Sequence, residues 1–307
     1  MAFKVIKPGL LALIQDLGRH GHQSIGLTTG GPMDEVAFHW GNALLDNDSN
    51  SAQIEITFGM FALEAQADTS IAITGADLAA TLNDKSITPW QTYAIKKGDV
   101  LAFHQPVWGL RAYLAVKGGF LCEPTLGSVA TVVREKIGGL TGKGDKLQKG
   151  DVLVYQACSD HQQRSVPRLA IPNYGNREIP VILGYQYQSF SSLERANFFS
   201  NDYKVSSNSD RMGYRLEGKA IHSGLKGIIS EGIAYGAIQI PKDGQPIVLL
   251  QDRQTIGGYP KMGCVTRVGG GILAQQKPGD IIQFTPITVD QAELERHLQM
   301  ARLAQWR

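Results

Sequence analysis

Lys97–Gly–Asp–Val–Leu–Ala–Phe103 recurs as Lys149–Gly–Asp–Val–Leu–Val–Tyr155 and again as Pro278–Gly–Asp–Ile–Ile–Gln–Phe284. In each copy glycine permits a turn, aspartate can bond the local backbone, and an apolar run ends on an aromatic ring. A turn that launches a strand is a β signature, and the rest of the chain agrees with it. The 35 glycines are spread through all 307 residues. Short apolar runs such as Ser70–Ile–Ala–Ile–Thr74, Arg111–Ala–Tyr–Leu–Ala–Val116 and Pro246–Ile–Val–Leu–Leu250 are set off by Gly, Asn, Asp and Pro. The fold is therefore read as mainly β, with a few short helices.

The landmarks also repeat in order. Ile54–Glu–Ile–Thr–Phe–Gly59 leads to a strand, to Thr74–Gly–Ala–Asp77 and to the first Gly-Asp unit. Ile229–Ser–Glu–Gly–Ile–Ala–Tyr–Gly236 leads to a strand, to Gln251–Asp–Arg253 and to the last one. Matching order and similar spacing predict two related β domains produced by duplication. The middle Gly-Asp unit closes the first, and the polar stretch from Gln156 to Glu178, with Pro167 and Pro172, carries the boundary. The division is placed at 1–165 and 166–307. Helices are expected after Asp34, with Ala37, Trp40 and Leu44 on one face, after the Ser191–Glu194 capping box, and after the Thr288–Gln291 box at the C-terminus.

Composition bounds the function. Hydrophobic residues at 43% and charged residues at 19% describe an ordinary globular chain able to bury real cores. A net charge of +2 without a dense basic run argues against nucleic-acid binding. Cys122, Cys158 and Cys264 are odd in number and far apart, so no disulfide framework is implied. The N-terminus enters an alternating pattern without a signal-peptide core, and no run reaches the roughly 18–20 apolar residues of a membrane span. A cytoplasmic protein, with no membrane contact, is expected.

Polar chemistry concentrates in two loops. Ser206–Ser–Asn–Ser–Asp–Arg–Met–Gly–Tyr–Arg–Leu216 places Asp210 and Arg211 beside a glycine, and Leu250–Gln–Asp–Arg–Gln–Thr–Ile–Gly–Gly–Tyr–Pro–Lys261 repeats the Asp–Arg pair at Asp252–Arg253. Taken singly, each pair reads equally as a turn-stabilising ion pair. Together, with Gln254, Tyr259 and Lys261 alongside, they read as one site carried on a β scaffold. Asp16 and Arg19 flank a turn further upstream and join the candidate set. Asp34, at a helix start, is either an N-cap or a site carboxylate, and the cap alone explains it well. His20 and His22 have no third ligand nearby, so no metal is expected. Gly138–Gly–Leu–Thr–Gly–Lys–Gly144 lacks phosphate-loop spacing and reads as a turn.

The combination of Gln15–Asp–Leu–Gly–Arg19, Gly31–Pro–Met–Asp34, Ser209–Asp–Arg–Met–Gly–Tyr–Arg–Leu216, Gly236–Ala–Ile–Gln–Ile–Pro241 and Asp252–Arg–Gln–Thr–Ile–Gly–Gly–Tyr–Pro–Lys261 resembles the allophanate hydrolase subunit 2 family. That family is also called biotin-dependent carboxyltransferase-like, and one branch, the C-type 5-oxoprolinase subunits, is the most similar. The resemblance runs from about Lys4 to Phe284. It implies two cyclophilin-like β-barrel domains, a subunit 1-type partner protein (resembling the B-type 5-oxoprolinase subunits) and a third subunit (resembling the A-type ones). Two segments depart from the family pattern. Gly127–Ser–Val–Ala–Thr131 stands where Gly-Ser-Arg-Ser-Thr is common, so Val129 replaces an arginine. Gly184–Tyr–Gln186 stands where Gly-Pro-Gln is usual, a change expected to alter a turn more than the chemistry.

What the resemblance implies is a subunit of ATP-dependent 5-oxoprolinase, nearly inactive alone, that helps open 5-oxo-L-proline to L-glutamate. ATP would activate the amide oxygen within the complex, since this chain has no nucleotide motif. Arg211 and Arg253 would then hold the substrate carboxylate, Asp210 or Asp252 would orient water or take a proton, and Gln254 and Tyr259 would bond the amide. Lys261, Asp16 and Arg19 complete the expected substrate-binding set. The same loops could instead face the partner. Two alternatives stand beside this: the carboxyltransferase component of a biotin-dependent urea or amide carboxylase, with biotin on a partner, and a non-catalytic binding protein antagonising a histidine-kinase inhibitor.

Overall fold

The structure, a computed structural model, describes residues 1–225 and 228–306. The chain divides into two compact units. One comprises Met1–Arg19, Gly30–Pro172 and the stretch from Ala301 onward, and the other His20–Thr29 and Asn173–Met300.

The first unit contains β1 (Ala2–Pro8), β2 (Leu11–Gln15), helix α1 (Glu35–Leu44), β3 (Gln53–Thr57), β4 (Phe61–Ala65), β5 (Thr69–Asp77), β6 (Thr81–Leu82), β7 (Lys85–Ser86), β8 (Gln91–Ile95), β9 (Val100–Phe103), β10 (Trp108–Val116) and β11 (Val152–Val154). They assort into a six-stranded sheet, β11-β1-β4-β9-β6-β7, and a five-stranded sheet, β2-β3-β10-β5-β8. One core draws on both sheets and includes Phe3, Val5, Ile14, Ile54, Leu63, Ile71, Leu101 and Leu114. Each such side chain contributes roughly 1.5–3 kcal/mol on burial. A one-residue slip would turn the set to water, which fixes the register.

The second unit contains β12 (Glu178–Leu183), α2 (Ser192–Ser200), β13 (Tyr203–Val205), β14 (Gly213–Gly218), β15 (Glu231–Gly232), β16 (Ala237–Gln239), β17 (Ile247–Leu249), β18 (Ile256–Gly257), β19 (Lys261–Val265), α3 (Arg267–Ala274) and β20 (Ile281–Ile287), and α4 (Val289–Trp306) begins in it. Seven strands form a closed barrel in the order β12-β19-β16-β17-β14-β13-β20, and the parallel pair β12·β20 makes the closure. The short β15–β18 pair stands apart from the barrel. Phe198 of α2 stacks on Phe284 of β20 at 4.6 Å, anchoring that helix.

Two alike barrels were expected, and among the described residues one closed barrel is found, beside the two sheets of the first unit. The difference lies at the corners of the first unit. Between β3 and β4, three successive residues, Phe58, Gly59 and Met60, have φ of 68°, 74° and 57°. Left-handed backbone interrupts the ladder, and the chain passes from one sheet to the other. A Cβ on Gly59 would lie 1.8 Å from the His104 carbonyl oxygen, so this corner admits only glycine.

The Gly-Asp units behave alike in both units. Gly98, Gly150 and Gly279 have φ of 89°, 96° and 96°. In each, the aspartate accepts the N–H three residues before it at 2.7 Å: Lys96 to Asp99, Gln148 to Asp151, Lys277 to Asp280. Strands β9, β11 and β20 follow directly. Two expected caps also form. Asp34 accepts the Ala37 N–H at 3.1 Å, and Thr288 and Gln291 bond reciprocally at 2.9 and 3.2 Å. The Ser191 box is half made: Ser191 Oγ accepts the Glu194 N–H, while the Glu194 carboxylate accepts the His222 N–H instead. No described helix is long and apolar enough to cross a membrane.

Candidate functional site

The Asp–Arg loops of the second unit lie side by side. The Asp252 N–H donates to the Arg211 carbonyl at 3.0 Å. The Arg211 guanidinium meets the Asp252 carboxylate through two parallel bonds, Nε to Oδ2 at 2.9 Å and Nη2 to Oδ1 at 3.0 Å. Both side chains are under one-tenth exposed. This bidentate pair braces one loop against the other and occupies the fork that would otherwise grip a ligand. Asp210 Oδ1 accepts the N–H groups of Met212 and Gly213 at 2.8 and 3.1 Å, a turn in which the carboxylate holds backbone. The sequence proposed Arg211 as a carboxylate holder and Asp210 or Asp252 as the acid–base group, and these contacts engage all three in the fold.

Arg253 is different. Its Nε donates to the Ile233 carbonyl at 3.1 Å and Nη1 to that of Leu250 at 3.2 Å. Gln254 is half-buried, and Tyr259 is 44% exposed. In the first unit, Asp16 accepts from Ser128 Oγ, Val129 N–H and Gly18 N–H. Arg19 donates to the carbonyls of Thr125, Ser128 and Ala130. Both therefore pin the 125–131 segment, the one that carries Val129.

The described cleft lies elsewhere on the barrel unit. It encloses about 260 Å³ and is lined by Tyr185, Gln186, Glu231, Lys261 and Cys264, with Gly184, Gly232 and Gly263 leaving room between them. Its polar side chains come from the turn after β12, the two-residue strand β15 and β19, and Ala234 of the loop before β16 and Ala237 of β16 complete the wall. The Lys261 ammonium and the Tyr185 hydroxyl both donate to the Glu231 carboxylate. Gln186 fixes the arrangement. Its Nε2 donates to Tyr185 Oη at 2.8 Å and to Glu231 Oε1 at 3.0 Å, and its Oε1 accepts the Lys261 N–H at 2.7 Å. Tyr185, expected to matter more for a turn than for the chemistry, thus reaches the polar centre of the cleft.

The electrostatics follow from these bonds. The Lys261 bond, then that from Tyr185, hold the Glu231 carboxyl below its ordinary range. The same contact with Glu231 pushes the Tyr185 hydroxyl up, keeping it a donor. Burial raises the Cys264 thiol, partly offset by the charges of Lys261 and Arg253. A carboxyl whose folded value is depressed contributes stability fully present above its unfolded value, about 4.3, and lost as pH falls through the folded one. The ion pair should therefore stay intact across neutral and mildly acidic pH. Carbon-detected NMR titration of the Glu231 carboxyl should show its midpoint below that of a model peptide. Glu231→Gln should remove that resonance and leave the other carboxyl titrations in place.

Chemically, the cleft offers a cation, a phenol donor, an amide and a carboxylate within one hydrogen-bonded set, suited to bind and orient a small polar molecule. Lys261 was legible in the sequence. Tyr185, Gln186 and Glu231 were not. The only trace of them was the Gly184–Tyr–Gln186 departure and the position of Glu231 in a repeated landmark.

The family described as "Carboxyltransferase domain, subdomain A and B" matches residues 25–286. The chain belongs to this carboxyltransferase family. It is 37% identical to the C-type 5-oxoprolinase subunit of Haemophilus influenzae, over 92% of this chain and 90% of that protein. Against its namesake from Escherichia coli (strain K12) the identity is 34%, over 99% of this chain and 98% of that one. Among solved structures, the K. lactis urea amidolyase superposes with a TM-score of 0.93 at 29% identity. That match takes in 100% of this chain but only 20% of the other. The carboxyltransferase fold is thus shared by free-standing chains of this length and by a segment of much larger proteins.

Proposed function

We propose that this carboxyltransferase-family chain is a subunit of an ATP-dependent 5-oxoprolinase, working with partner subunits to open 5-oxo-L-proline to L-glutamate. The observation that carries the reading is its end-to-end match, at 34–37% identity, to two bacterial proteins that bear the name of a C-type 5-oxoprolinase subunit. In this reading the cleft holds the cyclic amide. Tyr185 and Lys261 are the donors placed to bond its oxygen, and Glu231 keeps both oriented. Activation by ATP is assigned to the partners. The Gly138–Gly144 turn folds back on itself through a Gly144 N–H to Gly138 carbonyl bond of 2.8 Å and opens no helix, so it does not fit a triphosphate.

A second reading has its own support. The superposition on urea amidolyase favours a carboxyltransferase component acting on urea or a related amide, with biotin carried by a partner. One experiment separates the two. The purified chain, its partner subunits, and their mixture are assayed for ATP-dependent release of glutamate from 5-oxoproline. Turnover is expected in the mixture and near background for the chain alone. Robust turnover by the homogeneous chain would overturn the shared-labour reading, and urea carboxylation with a biotin-bearing partner would favour the second.

A further inference from the structure

Among the described residues four arginines are buried: Arg19, Arg111, Arg211 and Arg253. Three of them have carboxylates to answer their charge. Arg211 is paired bidentately with Asp252, Arg111 lies 3.9 Å from Glu55, and Arg19 feels Asp16 and Glu135. Arg253, only 6% exposed, has no carboxylate within ion-pairing distance among the described residues. Its guanidinium is steadied by two carbonyls, through Nε and Nη1, while Nη2 bonds to none of the described residues. The charged neighbour that bears on it is another cation, Arg267, itself set over the Tyr235 ring at 4.2 Å. Burying a cation beside a like charge is costly unless an anion joins it.

Its position says where that anion would come from. Ile233, whose carbonyl holds Arg253 Nε, stands between Gly232 and Ala234, both of which line the cleft. Cys264, on the same lining, is influenced by the Arg253 charge. Lys261, the cation that faces the cleft directly, is already paired with Glu231. The charge left without a protein counter-ion therefore lies just behind the cleft wall.

We infer that the cleft takes a small ligand bearing an oxyanion, carboxylate or phosphate, and that Arg253 is the residue that meets its charge. The inference deepens the reading of the cleft given above and rests on it, but binding is tested without turnover. The remaining donors of a planar guanidinium suit an oxyanion, which a lysine in its place would match poorly.

The test uses Cys264 as a reporter in the full chain. Its modification by N-ethylmaleimide is followed by mass spectrometry that resolves it from Cys122 and Cys158. Three probes are added in turn: 5-oxoproline, 2-pyrrolidinone (the same ring without the carboxylate) and inorganic phosphate. An oxyanion probe at about ten times its Kd should slow labelling roughly tenfold, and 2-pyrrolidinone at the same concentration should leave it unchanged. Whichever anion protects identifies the source of the charge. In Arg253→Gln the protection should vanish when measured against that variant's own unprotected rate, which falls because the Arg253 charge no longer offsets the burial of the Cys264 thiol. Equal protection by the neutral lactam, protection by no anion, or protection that survives Arg253→Gln would each overturn the inference. The comparison of charged and neutral probes on the unaltered chain needs no variant to fold. A failed 5-oxoprolinase assay would leave this result standing.

Discussion

Asp252→Ala is expected to lower the stability of this protein by about 3–5 kcal/mol, the largest effect of any single change considered. The variant leaves the Arg211 guanidinium buried without its bidentate carboxylate, and water cannot replace that partner at so low an exposure. Urea denaturation followed by tryptophan fluorescence and circular dichroism would measure the shift in midpoint. Removing both partners, as Arg211→Met with Asp252→Leu, should recover most of the loss, because no uncompensated charge then remains. A near-normal midpoint for Asp252→Ala would show that the pair does not brace the two loops.

The second large effect falls on activity. On the 5-oxoprolinase reading proposed above, Lys261→Met in the complex with its partners should reduce kcat/KM for 5-oxoproline on the order of a hundredfold, as loss of one well-placed donor does elsewhere. Stability should change little, since Glu231 retains its bonds from Tyr185 and Gln186 and its side chain is one-third exposed. The pairing of lost turnover with an unchanged midpoint distinguishes this residue from Asp252, where the two should fall together. Normal kinetics would remove the cleft from the reaction.

These contrasts show what local sequence can and cannot reveal. The Gly-Asp units were legible because their whole mechanism lies within four residues: a left-handed glycine and a carboxylate bonding the N–H three positions back. The cap at Asp34 and the Thr288–Gln291 box were legible for the same reason. Helix α3 was not. Arg-Val-Gly-Gly-Gly reads as a loop by propensity, yet it is helical, capped by Thr266, and it carries glycines because neighbours leave no room for side chains. A Cβ on Gly270 would lie 2.0 Å from the Tyr235 hydroxyl, and one on Gly269 would lie 2.8 Å from Pro180.

The candidate site divides in the same way. The Asp–Arg pairs caught attention because charge beside glycine is visible locally. Whether such a charge braces a loop or is left unanswered depends on a partner about forty residues away, as Arg211 and Arg253 show. Glu231 lies 30 residues from Lys261 and 46 from Tyr185. The β12·β19 pairing sets the Tyr185 turn beside Lys261, and the separate β15–β18 pair presents Glu231, so no spacing in the sequence could have announced them.

Barrel closure also has a bearing on synthesis. The strand Glu178–Leu183 finds its parallel partner only in Ile281–Ile287. At about 5–20 residues per second, a ribosome needs roughly 5–20 s to deliver the intervening hundred or so residues. During that interval the earlier strand offers an unpaired edge, in the nascent chain, with apolar residues such as Ile179 and Val181 that the finished protein hides completely. The earlier strand is therefore exposed for at least as long as the intervening segment takes to synthesise, and slow codons between the two strands would lengthen that interval.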